Sequence, residues 1–386
     1  MIHHPVLIII VLLAIEVLVL ALSKHPRTRH WFDFIPSVFW IYFLPMMAST
    51  AGLIDPKAPV LSLITSWLLP ASLLLLLIVV DIKAILRLGG MALGMFFIGS
   101  AGIIAGTVIS FIIFKHLIGA QFWAGFGALS ASWTGGSANM IAVKEALSVP
   151  DAVFAPMVIV DTVVPYVWMG IMIAGVGLQG AFDRWNRSDR SIIDELGGKA
   201  QAMAVPVVWS RAGFLRLVLL LGAGTGVAYA LASTLPVVKD IISTYAWTII
   251  VVSVIGLVLS LTPVRRLEKD GASPCGYYLL YFVLTAIGAK ASVAHISSAF
   301  ILIAAGFVIV GIHAIFLLVG ARMLKAPMFL VATASQANVG GVASAPVVAA
   351  VYQPGLASVG LLLAILGNIV GTYMGILCAQ LCRFFA

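Results

Sequence analysis

The sequence predicts an all-α integral membrane protein of about ten transmembrane helices, two re-entrant helical hairpins and two inverted five-crossing repeats. Three observations carry this expectation. The chain is too apolar for a soluble core, it holds ten runs long enough to cross a bilayer, and it repeats itself with an odd number of crossings per copy.

Of the 386 residues, 62% are apolar and 9% are charged, and the mean hydropathy is +1.15. A soluble domain carries about 25% charged residues. The formal net charge of +8 could suit nucleic acid. The basic residues, however, sit in short loops between apolar runs, where they orient a chain in the membrane, so no nucleic-acid partner is expected. Cys275, Cys378 and Cys382 form no CxxC pair, which argues against a disulfide framework or a zinc site. Cys378 and Cys382 share one helical face and read as packing residues. The first apolar run has no Lys or Arg before it and no small-x-small site after it. It reads as a span with its N-terminus outside, not as a signal peptide.

A spanning helix needs about 20 apolar residues. Suitable runs are 5–22, 34–54, 60–80, 91–114, 152–178, 212–235, 244–262, 275–293, 297–320 and 355–384. Two further apolar regions, 120–149 and 326–352, are each cut near the middle by glycine and polar residues. The first reads SWTGGSAN (132–139) and the second SQANVGG (335–341).

TGGSANMIAV (134–143) and VGGVASAPVV (339–348) align without gaps at an offset of 205 residues. The same offset carries Met169-Gly170-Ile171 onto Met374-Gly375-Ile376. About fifty residues before each glycine pair lie matching span ends, Asp81-Ile82-Lys83-Ala84 and Gly288-Ala289-Lys290-Ala291. If both interrupted regions crossed, loop Lys and Arg would divide 13 to 8 and the halves would disagree about the basic side. If both turn back, the division is 15 inside to 6 outside, with Lys239 among the outer group, and every strongly basic loop is cytoplasmic. Each half then crosses five times, so the halves are inverted and the two hairpin tips can meet near the midplane. The domains expected are a first repeat over 1–178 with hairpin 120–149, a linker over 179–211, and a second repeat over 212–386 with hairpin 326–352. The linker carries Asp183, Arg184, Arg187, Asp189, Arg190, Asp194, Glu195 and Lys199 and reads as a solvated cytoplasmic connector.

Irregular backbone at membrane depth must be buried in protein or line a wet cavity. Its freed NH and CO groups suit ions and polar solutes, and half-helix N-termini favour anions. The candidate ligands at the tips are Ser132, Thr134, Gly135, Gly136, Ser137 and Asn139 in the first half. In the second they are Thr333, Ser335, Gln336, Asn338, Gly340, Gly341 and Ser344. Asp161, inside a span four residues before Pro165, is a candidate coupling-ion or proton site, because an intramembrane carboxylate is costly unless it has a task. The repeat places Leu366 opposite it, with Asn368 nearby. Glu16 reads as a packing or subunit contact, Arg216 as a snorkelling side chain, and His313 as a hydrogen-bonded core histidine. Trp31, Trp67, Trp209 and Tyr277 look like interfacial anchors, and Pro36, Pro45 and Pro165 like kinks.

SASWTGGSANMIAVKEAL (130–147), GAKA (288–291) and SQANVGGVASAP (335–346) resemble the bacterial YjcL-like membrane proteins, described as domain of unknown function 819, over nearly the whole chain. More distantly, the architecture is similar to sodium-coupled 2-hydroxycarboxylate, glutamate and bile-acid transporters and to cation/proton antiporters. The first of these groups binds substrate and sodium at paired Gly-Gly motifs, which here implicates Gly135, Gly136, Gly340 and Gly341. This chain lacks the full Gly-Gly-x-Gly motif and an arginine beside the second tip, which argues against a citrate-like cargo.

The resemblance and the tips together lead to the expectation of an ion-coupled secondary transporter for a small polar or anionic solute. Na⁺ is preferred to H⁺, no cofactor is expected, and alternating access is of the elevator type. The partners expected are the solute, the lipid bilayer and a second copy in a homodimer. The location expected is the bacterial inner membrane, with both termini outside. The rival within transport is a cation/proton antiporter using Asp161. The chain has no HExxH or GxSxG motif, so an enzyme is not expected. The remote exception pairs Ser137 as nucleophile with His313 as base.

Overall fold

The computed structural model describes residues 1–34, 37–193, 196, 207–237, 243–290, 299–353 and 356–386. Pro36, Asp194, Glu195, Lys199, Lys239 and Ala291 lie outside the described residues. Among those described there is no strand, only an isolated bridge between Ile2 and Ile54. The helices are α1 (Pro5–Lys24), α2 (Arg29–Phe34), α3 (Ser37–Thr50), α4 (Pro59–Ile78), α5 (Ile82–Leu86), α6 (Gly89–Ile118), α7 (Trp123–Gly135), α8 (Ser137–Ala146) and α9 (Asp151–Ala174). They continue as α10 (Gln179–Asn186), α11 (Arg211–Ala232), α12 (Thr244–Ser260), α13 (Ala272–Lys290), α14 (Ala299–Leu324), α15 (Met328–Val339), α16 (Gly341–Tyr352) and α17 (Ala357–Phe384).

Among the described residues, eight helices are long and apolar enough to cross a membrane: α1, α4, α6, α9 with its continuation to Asn186, α11, α13, α14 and α17. Helix α12 makes a ninth if joined to the 3₁₀ segment Pro263–Asp270, from which it is bent by 96°. Helix α3 is a shorter apolar helix of 14 residues. Each of the ten apolar runs therefore contains a helix, and the chain is an all-α membrane protein. Helix α1 shows how such a span is placed. It buries Ile8, Leu12, Glu16 and Val19 along one stripe, while Val6, Leu7, Ile10, Leu13, Val17 and Leu18 stay exposed. Apolar side chains pointing away from protein are what lipid demands.

The chain forms two compact units, and each draws segments from both sequence halves. The first comprises 1–80, 144–162 and 205–299. Its centre is α4, buried along most of its length. Glycines let neighbours approach it: a Cβ on Gly256 of α12 would stand 2.8 Å from Leu77 Cβ, and one on Gly224 of α11 would stand 2.5 Å from a Leu74 methyl. Helices without a hydrophobic drive toward one another in lipid associate through such small-residue packing.

The second unit comprises 81–143, 163–204 and 300–386. Here α7 and α15 are buried on all sides. Helix α6, 30 residues and about 45 Å long, brings Gly99, Gly102 and Gly106 against α14. A Cβ on Gly102 would stand 2.9 Å from His313 Cα, and one on Gly106 would stand 2.7 Å from Ile309 O. In the described start of the polar linker, Arg184, Arg187, Asp189 and Arg190 are exposed, while Asp183 and Asn186 are buried. Asp183 Oδ1 accepts the Met328 N–H at 2.8 Å, in the first turn of α15. The buried Asn186 donates from Nδ2 to Ala326 O at 2.9 Å and Ala321 O at 3.2 Å.

Candidate functional site: two broken helices

Both breaks lie in the second unit, with 144–149 of the first interrupted region in the first, and both are helices broken at glycine. Helix α7 ends at Gly135; Gly136 has φ +85°, and α8 begins at Ser137. Helix α15 ends at Val339, and α16 begins at Gly341, whose φ is +62°. Only glycine enters this left-handed region without steric cost. The 205-residue offset of the sequence repeat carries Gly136 onto Gly341, so the breaks fall at equivalent positions. They also face each other, because a Cβ on Gly341 would lie 3.8 Å from Gly136 Cα. Two helix C-terminal ends and two helix N-terminal ends thus come together, bringing partial negative and partial positive charge to one place.

The side chains at the first break are mostly occupied. Thr134 Oγ1 donates to Ser130 O at 2.9 Å. Asn139 Nδ2 donates to Gly135 O at 2.6 Å, and Asn139 Oδ1 accepts from Thr372 Oγ1 at 2.6 Å. Ser132 is buried and Ser137 half-buried. Asn368, half-buried, holds its Oδ1 3.5 Å from where a Gly136 Cβ would stand.

At the second break, Gln336 Nε2 donates to Ser344 Oγ at 2.8 Å. A Cβ on Gly340 would sit 2.1 Å from that nitrogen and 2.0 Å from that oxygen, so glycine is required for the bond to close. Gln336 Oε1 and Thr333 Oγ1 are buried and have no hydrogen-bond partner among the described residues. Asn338 is fully engaged: Oδ1 accepts from Ser100 Oγ at 2.7 Å, and Nδ2 donates to Ala334 O at 3.0 Å and Phe96 O at 3.2 Å.

Ser335 sits in a relay. Trp168 Nε1 donates to its oxygen at 2.8 Å. His313 Nδ1 lies 2.8 Å from Gly99 O, and a carbonyl only accepts, so the proton is on Nδ1. His313 Nε2 then accepts from Ser335 Oγ at 2.9 Å. The nitrogen that a Ser137 nucleophile would need is therefore bonded to Ser335.

Every candidate tip residue lies in this unit, as does Asn368. Asp161 lies on α9 in the first unit, half-buried. Sequence reasoning missed Ser100, Trp168 and Thr372, which reach the tips from other helices and belong to no local motif. It also missed a stripe that was legible as GxxxGxxxG in α17. Gly367, Gly371 and Gly375 press against Thr134, Gly135 and Ala131 of α7, with built Cβ distances of 2.2, 2.7 and 2.4 Å.

Residues 8–385 match the family described as protein of unknown function (DUF819). The chain belongs to the DUF819 family. It is also 24% identical, over 86% of each chain, to the uncharacterized membrane protein YjcL of Bacillus subtilis (strain 168). In this DUF819 chain the broken helices bring together neutral oxygens, amides and helix ends. That set can ligate a hard cation through oxygen and hydrogen-bond an anionic or zwitterionic solute. Among the described residues no group of three or more His, Cys, Asp or Glu could hold a metal ion.

Proposed function

We propose that this protein is an ion-coupled secondary transporter of a small polar or anionic solute, held where the two broken helices meet. One observation carries the reading. Gly136 and Gly341, equivalent in the sequence repeat, both take left-handed backbone and face each other. Breaks of this kind are how transporter helices free backbone groups for ion and substrate, and unpaired backbone at membrane depth is tolerated only where something else satisfies it. Na⁺ is the coupling ion in this reading, because the spare groups at the second break, Gln336 Oε1 and Thr333 Oγ1, are neutral oxygens. The finer architecture follows the sequence expectation: ten crossings, two inverted repeats, an elevator movement of the unit carrying both breaks, a homodimer, and a bacterial inner-membrane location with both termini outside. The chain then performs transport and no catalysis.

The test is a Na⁺-jump current from proteoliposomes on a solid-supported membrane, with a panel of amino acids, short peptides and organic acids. Wild type is compared with Gln336→Ala, Asn368→Ala and Asp161→Asn. A Na⁺-dependent current that one solute enhances, and that Gln336→Ala reduces tenfold or more, supports the proposal. Silence to Na⁺ with every solute, beside a pH-jump current lost in Asp161→Asn, would replace it with a cation/proton antiporter.

A further inference from the structure

The first unit carries neither break, yet it has a cavity of about 490 Å³ between α11 and the 3₁₀ segment Pro263–Asp270. Leu219, Leu220 and Leu267 line it, and Arg216, Arg266 and Asp270 supply its charge. Its position follows from the 96° bend after α12, which turns the segment across the end of the span. Trp209 fixes the level. Its indole is exposed and packs on Gly271, where a Cβ would stand 2.6 Å from the ring, and Val208 N–H donates to Lys269 O at 2.8 Å. An exposed tryptophan beside such a bend marks the membrane interface.

The apolar wall continues onto an outward face of α11, where Phe214, Leu215, Val218 and Leu219 are exposed. Such an exposed apolar face on a helix long enough to span suits hydrocarbon. The charged lining is cationic, with Arg216 and Arg266 against Asp270, and the two segments that form it also carry Arg211, Arg265 and Lys269 beside Glu268. Glu268 Oε2 is engaged, accepting the Ser273 N–H at 3.0 Å. Asp270 Oδ1 binds Arg216 Nη2 at 2.9 Å and reaches α11 only because position 213 is glycine, where a Cβ would come within 2.6 Å of it. This bond orients Arg216 while engaging one nitrogen of a group with five N–H donors, and the side chain stays 58% exposed.

We propose that this cavity binds an anionic glycerophospholipid of the surrounding bilayer. The headgroup phosphate lies between Arg216 and Arg266, and an acyl chain follows Leu219 and Leu220 along α11. Basic pockets beside membrane helices recognise lipid headgroups through this charge pattern. Asp270 acts as a positioning residue for Arg216.

Native mass spectrometry of the full chain tests the assignment, with equimolar phosphatidylglycerol and phosphatidylcholine in detergent. Wild type should retain phosphatidylglycerol in preference by about tenfold, the order expected from two cations near a lipid phosphate. Arg216→Gln/Arg266→Gln should abolish the preference while leaving phosphatidylcholine retention unchanged. Arg266→Gln alone, the arm that does not disturb the Asp270 pair, should cut it at least threefold. Millimolar inorganic phosphate should not displace the lipid. Equal retention of the two lipids by wild type overturns the proposal, as does a preference that survives in either variant. Displacement by inorganic phosphate would reassign the cavity to a free anion.

Discussion

Gly367→Ala tests the contact that holds the first break in place. The added Cβ would stand 2.2 Å from Thr134 O, about 1 Å short of the ~3.3 Å at which carbon meets a carbonyl oxygen. The obstacle is backbone, so no rotamer change relieves it, and α17 must move away from α7. Forced overpacking of this kind costs about 1–3 kcal/mol. At about 2–4 °C per kcal/mol for a unit of this size, that is a loss of roughly 2–12 °C in Tm. The control is alanine at Gly222 of α11 or Gly311 of α14, where nothing lies within 4 Å of the built Cβ. There the substitution removes glycine from a helix interior and is worth up to about 1 kcal/mol in the stabilising direction. The assay is fluorescence-detected size exclusion after heating the detergent-solubilised protein. If Gly367→Ala melts with Gly222→Ala and Gly311→Ala, α7 and α17 are not in contact at position 367, and the placement of the first break falls with it.

Thr372→Val removes the only donor described on the buried Asn139 Oδ1. It should lower stability by about 1–3 kcal/mol, and the double variant with Asn139→Ala should be less than additive by at least about 0.5 kcal/mol. Full additivity in a thermal melt would show that the pair is not formed. Asp183→Ala takes the carboxylate from the Met328 N–H and from Arg190, 3.8 Å away. Loss of a cap costs about 0.5–2 kcal/mol, so trypsin should cleave at Arg187 and Arg190 faster than in wild type; unchanged cleavage would refute the tie. Asp55 predicts a pH effect at the N-terminus, where the Lys57 N–H and then His3 hold its carboxyl below the usual range. A depressed folded-state pKa contributes stability above the ordinary carboxylate value of about 4, and the contribution fades as pH falls through the lower folded value. Exchange of the Ile2 amide, bonded to Leu53 O, should therefore be protected at neutral pH and rise below about pH 4. A protection factor flat to pH 3, or lost already at pH 6, would contradict this.

The membrane class and the ten helical runs were legible because lipid imposes one dominant rule, a long apolar stretch per helix. The two breaks were legible for a local reason, since glycine pairs amid polar residues suit little else at membrane depth. Of the four glycines in the two pairs, Gly136 and Gly341, 205 residues apart, are the ones that take left-handed backbone. What the sequence hid is who satisfies whom. Asn338 bonds a serine 238 residues earlier, and no period or spacing announces that contact. The linker's charge pattern did not show that two of its polar residues, Asp183 and Asn186, are buried while Arg184, Arg187, Asp189 and Arg190 are exposed. A single turn around Asp183 and Asn186 satisfies the backbone at the start of α15 and the end of α14, and burial of those two polar residues follows from that task.

Gln336 and Asn338 lie two residues apart in one helix and divide the work of the second break. Asn338 has both amide atoms engaged by α6 and by its own helix, so it fixes where α15 sits. Gln336 spends its nitrogen on Ser344 and keeps an oxygen without a partner. A buried acceptor left unpaired costs about 1–3 kcal/mol, a cost that a bound cation or donor would offset. The repeat-equivalent of Ser344 is Asn139, which is engaged at both ends by Gly135 and Thr372. The two breaks thus match in backbone but differ in spare side-chain chemistry: α7 holds an unpartnered indole N–H at Trp133 and hydroxyl at Ser130, and α15 holds the amide oxygen of Gln336 and the hydroxyl of Thr333. Under the transport reading proposed above, Gln336 Oε1 and Thr333 Oγ1 are the oxygens open to a bound cation or donor, and the loss of current expected in Gln336→Ala tests that assignment.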